Sequence, residues 1–127
     1  MKQAISSPGA PKAIGPYSSA LRAGHILFVS GQIPFDPVTG TMVDGDIAAQ
    51  ARRALQNVGA LLEAAGFCFS DVARTTVFLA DMSDFEAVND VYRTFFSEPY
   101  PARSTVQAAR LPRDARIEID AIAVVSA

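Results

Sequence analysis

The residues with the clearest chemical potential are one arginine and one glutamate near the end of the chain. Arg103 lies in the segment PARSTV (residues 101–106), among small and apolar residues, and Glu118 opens the largely apolar run at 118–125. A guanidinium pairs with a carboxylate through two parallel hydrogen bonds, so Arg103 suits an anionic ligand. An apolar setting raises the pKa of a carboxyl group, which suits Glu118 to proton transfer. The two residues would equally fit a structural ion pair, or solvated positions at a strand edge.

Two single-copy residues add little chemistry. His25, the only histidine, follows Gly24, and this dipeptide predicts a hairpin turn in which the imidazole is structural. Cys68, the only cysteine, lies between two phenylalanines and is predicted to be a small buried side chain rather than a reactive thiol. One histidine and one cysteine cannot form a disulfide or a zinc site, so we expect no metal and no cofactor.

The composition is typical of a globular protein. The 127 residues are 50% hydrophobic and 19% charged, which predicts a single domain over residues 1–127 with a sizeable core. A net charge of -2 and the lack of a basic run argue against nucleic acid as a partner. The only basic doublet, Arg52-Arg53, is expected on the solvated face of a helix. Neither a signal-peptide core nor a membrane-length apolar run occurs, so we expect a cytoplasmic protein without membrane contact.

The first part of the chain reads as strands and turns. Strands are predicted at 17–23 and 26–30, joined by the turn at 24–25, and a proline-rich loop follows at 31–40. Gly31, directly after Ser30, would let a backbone N–H approach a ligand closely.

Two helices follow, each with readable ends. Asp46 can cap a helix that stops at Gly66. The second helix is predicted to begin with a capping box, in which Ser83 and Glu86 satisfy each other's backbone donors, and to end before residue 99. Its apolar stripe, predicted to be core, is Phe85, Val88, Tyr92, Phe95 and Phe96. Asn89 lies beside this stripe and could face solvent or form a hydrogen bond near a site.

Three further strands are predicted at 72–79, 103–110 and 115–125. In the last of them, side chains alternate between the two faces of the sheet. One face carries Ile117, Ile119 and every second residue after them, and the other carries Glu118, Ile122 and Val124. Two helices can cover only one face of such a sheet, so the second apolar face implies another subunit. The order β-β-β-α-β-α-β-β predicts an α+β fold, a mixed sheet with two helices packed on one face.

Five short motifs, taken together, resemble one known family. They are AIGPYS (13–18), LFVSGQIP (27–34), PARSTV (101–106), LP (111–112) and IEIDA (117–121). The chain resembles the RidA (reactive intermediate deaminase A, or YjgF) family from residue 14 to residue 124. The resemblance implies a chorismate-mutase-like fold and a homotrimer with clefts between neighbouring subunits. It also implies hydrolysis of the reactive 2-enamine and 2-imine acids that pyridoxal-phosphate enzymes release, giving 2-oxo acids and ammonia.

The resemblance also implies roles for individual residues. Arg103 becomes the anchor for a substrate carboxylate, and Glu118 the acid that handles water. The other implied pocket residues are Tyr17, Ser30, Gly31, Asn89 and Thr105. Many family members have cysteine where this chain has Thr105, whose backbone carbonyl is expected to make the contact. The expected substrates are 2-aminoacrylate/2-iminopropanoate and 2-iminobutanoate; the alternative is a non-catalytic module that binds 2-oxo acids or other metabolites.

Overall fold

The structure is a computed structural model that describes residues 1–126, in which eight strands and two α-helices occur. The strands are β1 (Lys2–Ile5), β2 (Ala20–Ala23), β3 (Ile26–Gln32), β4 (Phe35–Asp36), β5 (Thr41–Met42), β6 (Val72–Leu79), β7 (Ala102–Gln107) and β8 (Ile117–Val124). The helices are α1 (Ile47–Ala64) and α2 (Phe85–Phe95). Neither helix is both long and apolar enough to cross a membrane.

Six strands form one sheet in the order β1-β2-β3-β8-β6-β7, and β4 pairs with β5 in a separate ribbon. The sheet is mixed, because β6 and β7 are parallel and all its other neighbouring strands are antiparallel. Helix α2 provides the crossover that parallel neighbours require. The predicted α+β fold, with two helices and a mixed sheet, is confirmed. Five strands rather than the predicted three precede α1, because Phe35–Asp36 of the predicted loop pairs with Thr41–Met42 as the ribbon β4-β5.

The core lies between the helices and one face of the sheet. Helix α1 packs against β3 and β8, and α2 packs beside α1. Alternation along β8 places Ile117 and Ile119 in this core, both fully buried. Glu118 and Ile122, one position out of step, lie on the opposite face, as the strand period of two predicts. We call this opposite surface the open face of the sheet.

Helix α1 follows its sequence signals closely. The Asp46 carboxylate accepts a hydrogen bond from the Ala49 N–H at 3.0 Å, which caps the first turn. The chain leaves the helix at Gly66, whose φ of +80° is a conformation that favours glycine. Both predicted ends of α1 are therefore confirmed.

The predicted capping box of α2 is wrong. The helix begins at Phe85, and a short 3₁₀ turn, Met82–Asp84, precedes it. Asp81 caps this turn by accepting from the Ser83 N–H at 2.9 Å, and the N-cap residue of α2 itself, Asp84, makes no side-chain capping bond. The stripe is also only partly core, because Phe85 is 37% exposed while Tyr92 is buried.

Two other local predictions are corrected. Cys68 is exposed, because it begins a 3₁₀ turn in which its thiol hydrogen-bonds to Ser70 while the neighbouring Phe67 is buried instead. The strand predicted to start at Tyr17 starts at Ala20, because the Tyr17 N–H donates to the Gly15 carbonyl in a tight turn that is incompatible with sheet pairing.

Candidate active site

Arg103 lies on the helix-facing side of the edge strand β7, in a socket formed by α2. Its NH2 group donates to the Asn89 Oδ1 at 2.7 Å. The guanidinium carbon lies 4.8 Å from the centre of the Tyr92 ring and 5.5 Å from that of Phe85. Ring faces carry negative charge density, so both contacts are favourable for a cation. Its remaining N–H groups have no acceptor among residues 1–126 and are available to a ligand.

The floor of this socket is itself fixed. The Tyr92 hydroxyl is 2.7 Å from the Thr75 hydroxyl, and both residues are buried. Burial raises the pKa of Tyr92, against the smaller lowering effects of Thr75 and the Arg103 charge, so the ring remains neutral. A shallow cavity of about 210 Å³ opens beside the guanidinium, with Asn89, Tyr100 and Pro101 among its walls.

Glu118 lies on the open face, at the base of a second cavity of about 200 Å³. The cavity is lined mainly by apolar groups, and Tyr17, Gly31 and Ile33 are among them. Burial raises the pKa of Glu118, and the nearby Asp120 carboxylate raises it further. A raised pKa makes this carboxyl group a better proton acceptor than an ordinary glutamate.

Gly31 is what allows Glu118 to lie where it does. A Cβ on Gly31 would lie 2.7 Å from the carboxyl carbon of Glu118, closer than non-bonded atoms approach. The sequence suggested that this glycine lets a backbone approach a ligand; in the structure the close neighbour is the glutamate side chain.

Tyr17 and Ser30 belong to one local arrangement. The Ser30 hydroxyl donates to the Ser18 carbonyl at 2.6 Å, and the Ser30 N–H donates to the Ser19 carbonyl at 2.9 Å. These bonds fix the loop that presents Tyr17, which is 52% exposed at the mouth of the Glu118 cavity. Within one chain, Ser30 orients this loop and its hydroxyl is already engaged.

Thr105 lies two residues beyond Arg103 and pairs with Val77 of β6. Because β7 is the last strand of the sheet, its outer edge has no partner strand within residues 1–126. Backbone groups on that edge are therefore free to bind a ligand or water.

One chain does not bring Arg103 and Glu118 together. Arg103 pairs with Thr75 and Glu118 with Phe78, on opposite sides of β6. Two inter-strand spacings and three residues of offset separate their Cα atoms by about 14 Å. Their side chains also point to opposite faces of the sheet. The predicted residues thus form two groups: Arg103, Asn89 and Thr105 in one, and Tyr17, Ser30, Gly31 and Glu118 in the other.

Several contributors to the site were not identified from the sequence. Phe85 and Tyr92 were assigned to the core, yet both support the Arg103 guanidinium. Phe85 lies four residues before Asn89, and Tyr92 lies three residues after it. This spacing, which can be read from the sequence, places all three side chains on one side of α2. Lys12 and Arg113, which add positive charge to the walls of the Glu118 cavity, carry no such signal.

No group of three or more His, Cys, Asp or Glu side chains within residues 1–126 is arranged to hold a metal ion. The groups present at the candidate site are a guanidinium, a carboxyl group, a phenol and backbone carbonyls.

Comparisons with known proteins agree on one family. Residues 7–125 match the family model described as Endoribonuclease L-PSP. A RutC family protein of Pyrococcus horikoshii is 54% identical over 97% of this chain and 98% of its own. The 2-iminobutanoate/2-iminopropanoate deaminase of Salmonella typhimurium is 50% identical, with 98% of both chains covered. The crystal structure of E. coli TdcF with bound serine has a TM-score of 0.92 and 47% identity, covering 98% of this chain and 99% of that one.

Proposed function

Because the chain belongs to the RidA/YjgF family, the family described as Endoribonuclease L-PSP, we propose that it hydrolyses 2-imine acids and their enamine tautomers to 2-oxo acids and ammonia. The substrates are 2-iminopropanoate, with its enamine tautomer 2-aminoacrylate, and 2-iminobutanoate. Relatives that are 46–50% identical are named for the two imines, 2-iminobutanoate and 2-iminopropanoate. Clearing them would protect pyridoxal-phosphate enzymes from attack. The observation that carries the proposal is the pre-oriented Arg103 guanidinium with free N–H donors.

The complete site forms between two copies of the chain. Arg103 and Glu118 lie on opposite faces of the sheet, so one protomer supplies Arg103, Asn89 and Thr105, and its neighbour supplies Tyr17, Gly31 and Glu118. The open face supports such an assembly, because it exposes Phe28 (43%) and Val124 (44%), large apolar side chains that association would cover. A cyclic homotrimer closes this head-to-tail contact and contains three equivalent sites.

Substrate binding begins with the carboxylate. The planar fork of Arg103 donates hydrogen bonds to the two carboxylate oxygens, while the Asn89 bond and the Tyr92 ring hold the fork in place. This contact fixes the adjacent imine carbon relative to the partner subunit's Glu118, and restricting that geometry lowers the entropy cost of reaction.

The reaction then proceeds by addition and elimination. Glu118 and the Thr105 carbonyl hold one water; its oxygen bonds to the imine carbon as Glu118 takes a proton and the C=N electron pair moves to nitrogen. Glu118 returns that proton to the nitrogen, which gives a carbinolamine bearing OH and NH₂ on one carbon. Glu118 then takes the hydroxyl proton and passes it to the amino nitrogen, so that the C–N bond breaks, ammonia leaves and the 2-oxo group forms. A carboxyl group with a raised pKa suits both transfers. The imine carbon is already electrophilic, so the residues need supply only orientation and proton transfer.

We favour this reaction over RNA cleavage, despite the family model's description. The net charge is -2, and three arginines are already paired with carboxylates: Arg93, Arg110 and Arg116. The electrostatic attraction that supports RNA binding is therefore weak. RNA binding by nuclease-free protein that weakens steeply with salt would favour the alternative.

Imine decay provides the direct test. A pyridoxal-phosphate dehydratase generates 2-iminopropanoate from serine and 2-iminobutanoate from threonine, and the imine is followed spectroscopically with and without the protein. We expect the protein to accelerate the loss of both imines in a concentration-dependent way. Decay at the buffer rate, combined with saturable binding of 2-oxo acids, would identify a binding module instead.

A further inference from the structure

A polar side chain lies in the middle of the core at Asn57, on α1. It is fully buried, yet every hydrogen-bonding group of its amide is used. The amide NH₂ donates to the Ile33 carbonyl at 3.1 Å and to the Phe35 carbonyl at 2.9 Å. Its oxygen accepts from the Arg53 Nε at 3.0 Å and NH2 at 2.8 Å. Buried amides are costly unless paired, so this residue specifies the position of the segment it binds.

Arg53 extends the network to a second segment. One helical turn before Asn57, it is half-buried, and its NH2 group also lies 3.4 Å from the Gly9 carbonyl. The prediction that Arg53 lies on a solvated helix face is therefore wrong, although its neighbour Arg52 is exposed. The pair connects the chain near Gly9 to the segment that follows β3.

Both connected segments form walls of the Glu118 cavity. Pro11 and Ile14 follow Gly9 on one side, and Ile33 and Phe35 lie on the other. Since both segments are loop-like or in a two-stranded ribbon, few backbone bonds to the main sheet hold them. The hydrogen bonds of Asn57 and Arg53 attach both segments to helix α1.

We propose that Asn57 and Arg53 are positioning residues that set the separation of the two cavity walls and so limit the access of water to the Glu118 carboxyl group. The effect on turnover rests on the proposed function, whereas the effect on Glu118 itself does not. Neither residue is among the lining residues of the Glu118 cavity or of the cavity beside Arg103.

If the two cavity walls move apart, the pKa of Glu118 should change. Burial is the main cause of its raised pKa, with the Asp120 charge second. The other charged or titratable groups that line the cavity are Lys12, Arg113 and Tyr17, and none belongs to α1. Water entering between displaced walls would hydrate the carboxylate and lower its pKa towards the ordinary value of 4.5.

Two variants separate positioning from general stability. Asn57→Leu keeps the side-chain volume and removes all four hydrogen bonds, while Arg53→Met keeps the apolar stem and leaves both Asn57 bonds to the wall carbonyls intact. Arg52→Met, at the adjacent exposed position, is the matched control for loss of a charge. Val72→Ala, a buried position at the start of β6 and not among the cavity walls, controls for core destabilisation.

The measurement is the pH titration of the Glu118 side-chain carbon by NMR, accompanied by the pH profile of imine hydrolysis. We expect Asn57→Leu and Arg53→Met to shift the Glu118 titration to lower pH, the larger shift in Asn57→Leu, and to reduce turnover by about tenfold or more through misplacement of the carboxyl group. If Asn57→Leu does not fold, Arg53→Met alone decides. An unchanged titration in the folded variants, or equal shifts in Arg52→Met or Val72→Ala, would overturn the proposal. Failure of the proposed function would appear separately, as wild-type protein that does not accelerate imine decay.

Discussion

At Arg103, the orientation of a surface cation is determined before any ligand binds. Two aromatic rings and the Asn89 oxygen restrict a side chain that would otherwise lose much conformational freedom on binding. The hydrogen bond to Asn89 uses one end of the guanidinium, which leaves the other donors for a carboxylate. A lysine at this position could keep the charge but not the planar arrangement of donors.

Replacing Arg103 tests the anchor directly. Arg103→Ala should lose about 2–4 kcal/mol of transition-state binding, or roughly 30- to 1,000-fold in the rate of imine hydrolysis. Arg103→Lys should recover only part of this loss, because a point charge does not reproduce the fork. Rates are measured in the dehydratase-coupled assay on variants shown to be folded and assembled. Parent-like clearance of 2-iminopropanoate by Arg103→Ala would remove the residue from substrate binding.

Glu118 is expected to lower the free energy of unfolding at neutral pH while it contributes to the reaction. Because its pKa in the folded protein is raised above 4.5, the folded state binds a proton more tightly than the unfolded state does. The stability that this group contributes is therefore complete below pH 4.5 and is lost as the pH rises through the folded-state value. Glu118→Gln, which has no charge to bury, should make the free energy of unfolding higher than wild type at neutral pH.

The same substitution should impair turnover. Removing a general acid–base typically costs about 10²- to 10⁴-fold in rate, and the limb of the pH profile that Glu118 produces should disappear. Chemical denaturation at fixed protein concentration over pH 4–8 and the imine assay over the same range measure the two effects. A Gln variant with wild-type turnover at every pH would show that Glu118 takes no part in the chemistry.

At the scale of elements, the sequence predicted best where one pattern decided the structure. The ends of α1 follow from Asp46 and Gly66, and the period of two along β8 placed Glu118 on the open face. Predictions failed where a local hydrogen bond competed with the pattern. Asp81 caps a 3₁₀ turn that contains Ser83 and precedes α2, and the tight turn before Tyr17 shortens the strand. Such competition depends on backbone geometry that residue types alone do not specify.

The candidate site shows the same division between pattern and context. The five motifs identified Arg103 and Glu118, but not the fact that they lie on different faces, which depends on the pairing of β7 and β8 with β6. The support given by Tyr92 and the network around Asn57 also escaped prediction, because an aromatic stripe and a mid-helix asparagine each have a common structural explanation.

Helix α2 supplies a prediction of its own, because it carries the acceptor for Arg103. Asn89→Leu should keep the helix and the ring contacts but release the guanidinium, with a loss of about 0.5–1.5 kcal/mol, or roughly two- to tenfold in rate. Asp90→Ala is the matched control, since within residues 1–126 the carboxylate of Asp90 pairs only with the exposed Arg93. Imine assays on both variants should show a loss in the first alone. Equal rates for the two would show that the Asn89 bond does not orient Arg103 for substrate.

At the scale of the whole molecule, the sheet separates the two groups of residues that the proposed site combines. The Arg103 socket faces the helices and the Glu118 cavity faces outward, so a protomer presents two different surfaces that a neighbour could complement. Such an arrangement is heterologous, and a closed ring is the form in which every half-site finds a partner. The exposed apolar residues of the open face, including Phe28 and Val124, would give the proposed association a hydrophobic contribution.

Mixing two inactive variants tests this arrangement. Arg103→Ala and Glu118→Gln are unfolded together, refolded at equal concentration and compared with each variant refolded alone. If each site takes Arg103 from one copy and Glu118 from the next, random assembly should leave about one quarter of the sites with both groups intact, and about one quarter of wild-type activity should return. If both groups acted within one chain, every chain would carry a defect and mixing would restore nothing. Mass measurement of the mixed species establishes that hybrid oligomers formed, so an inactive hybrid trimer would rule out a site shared between subunits.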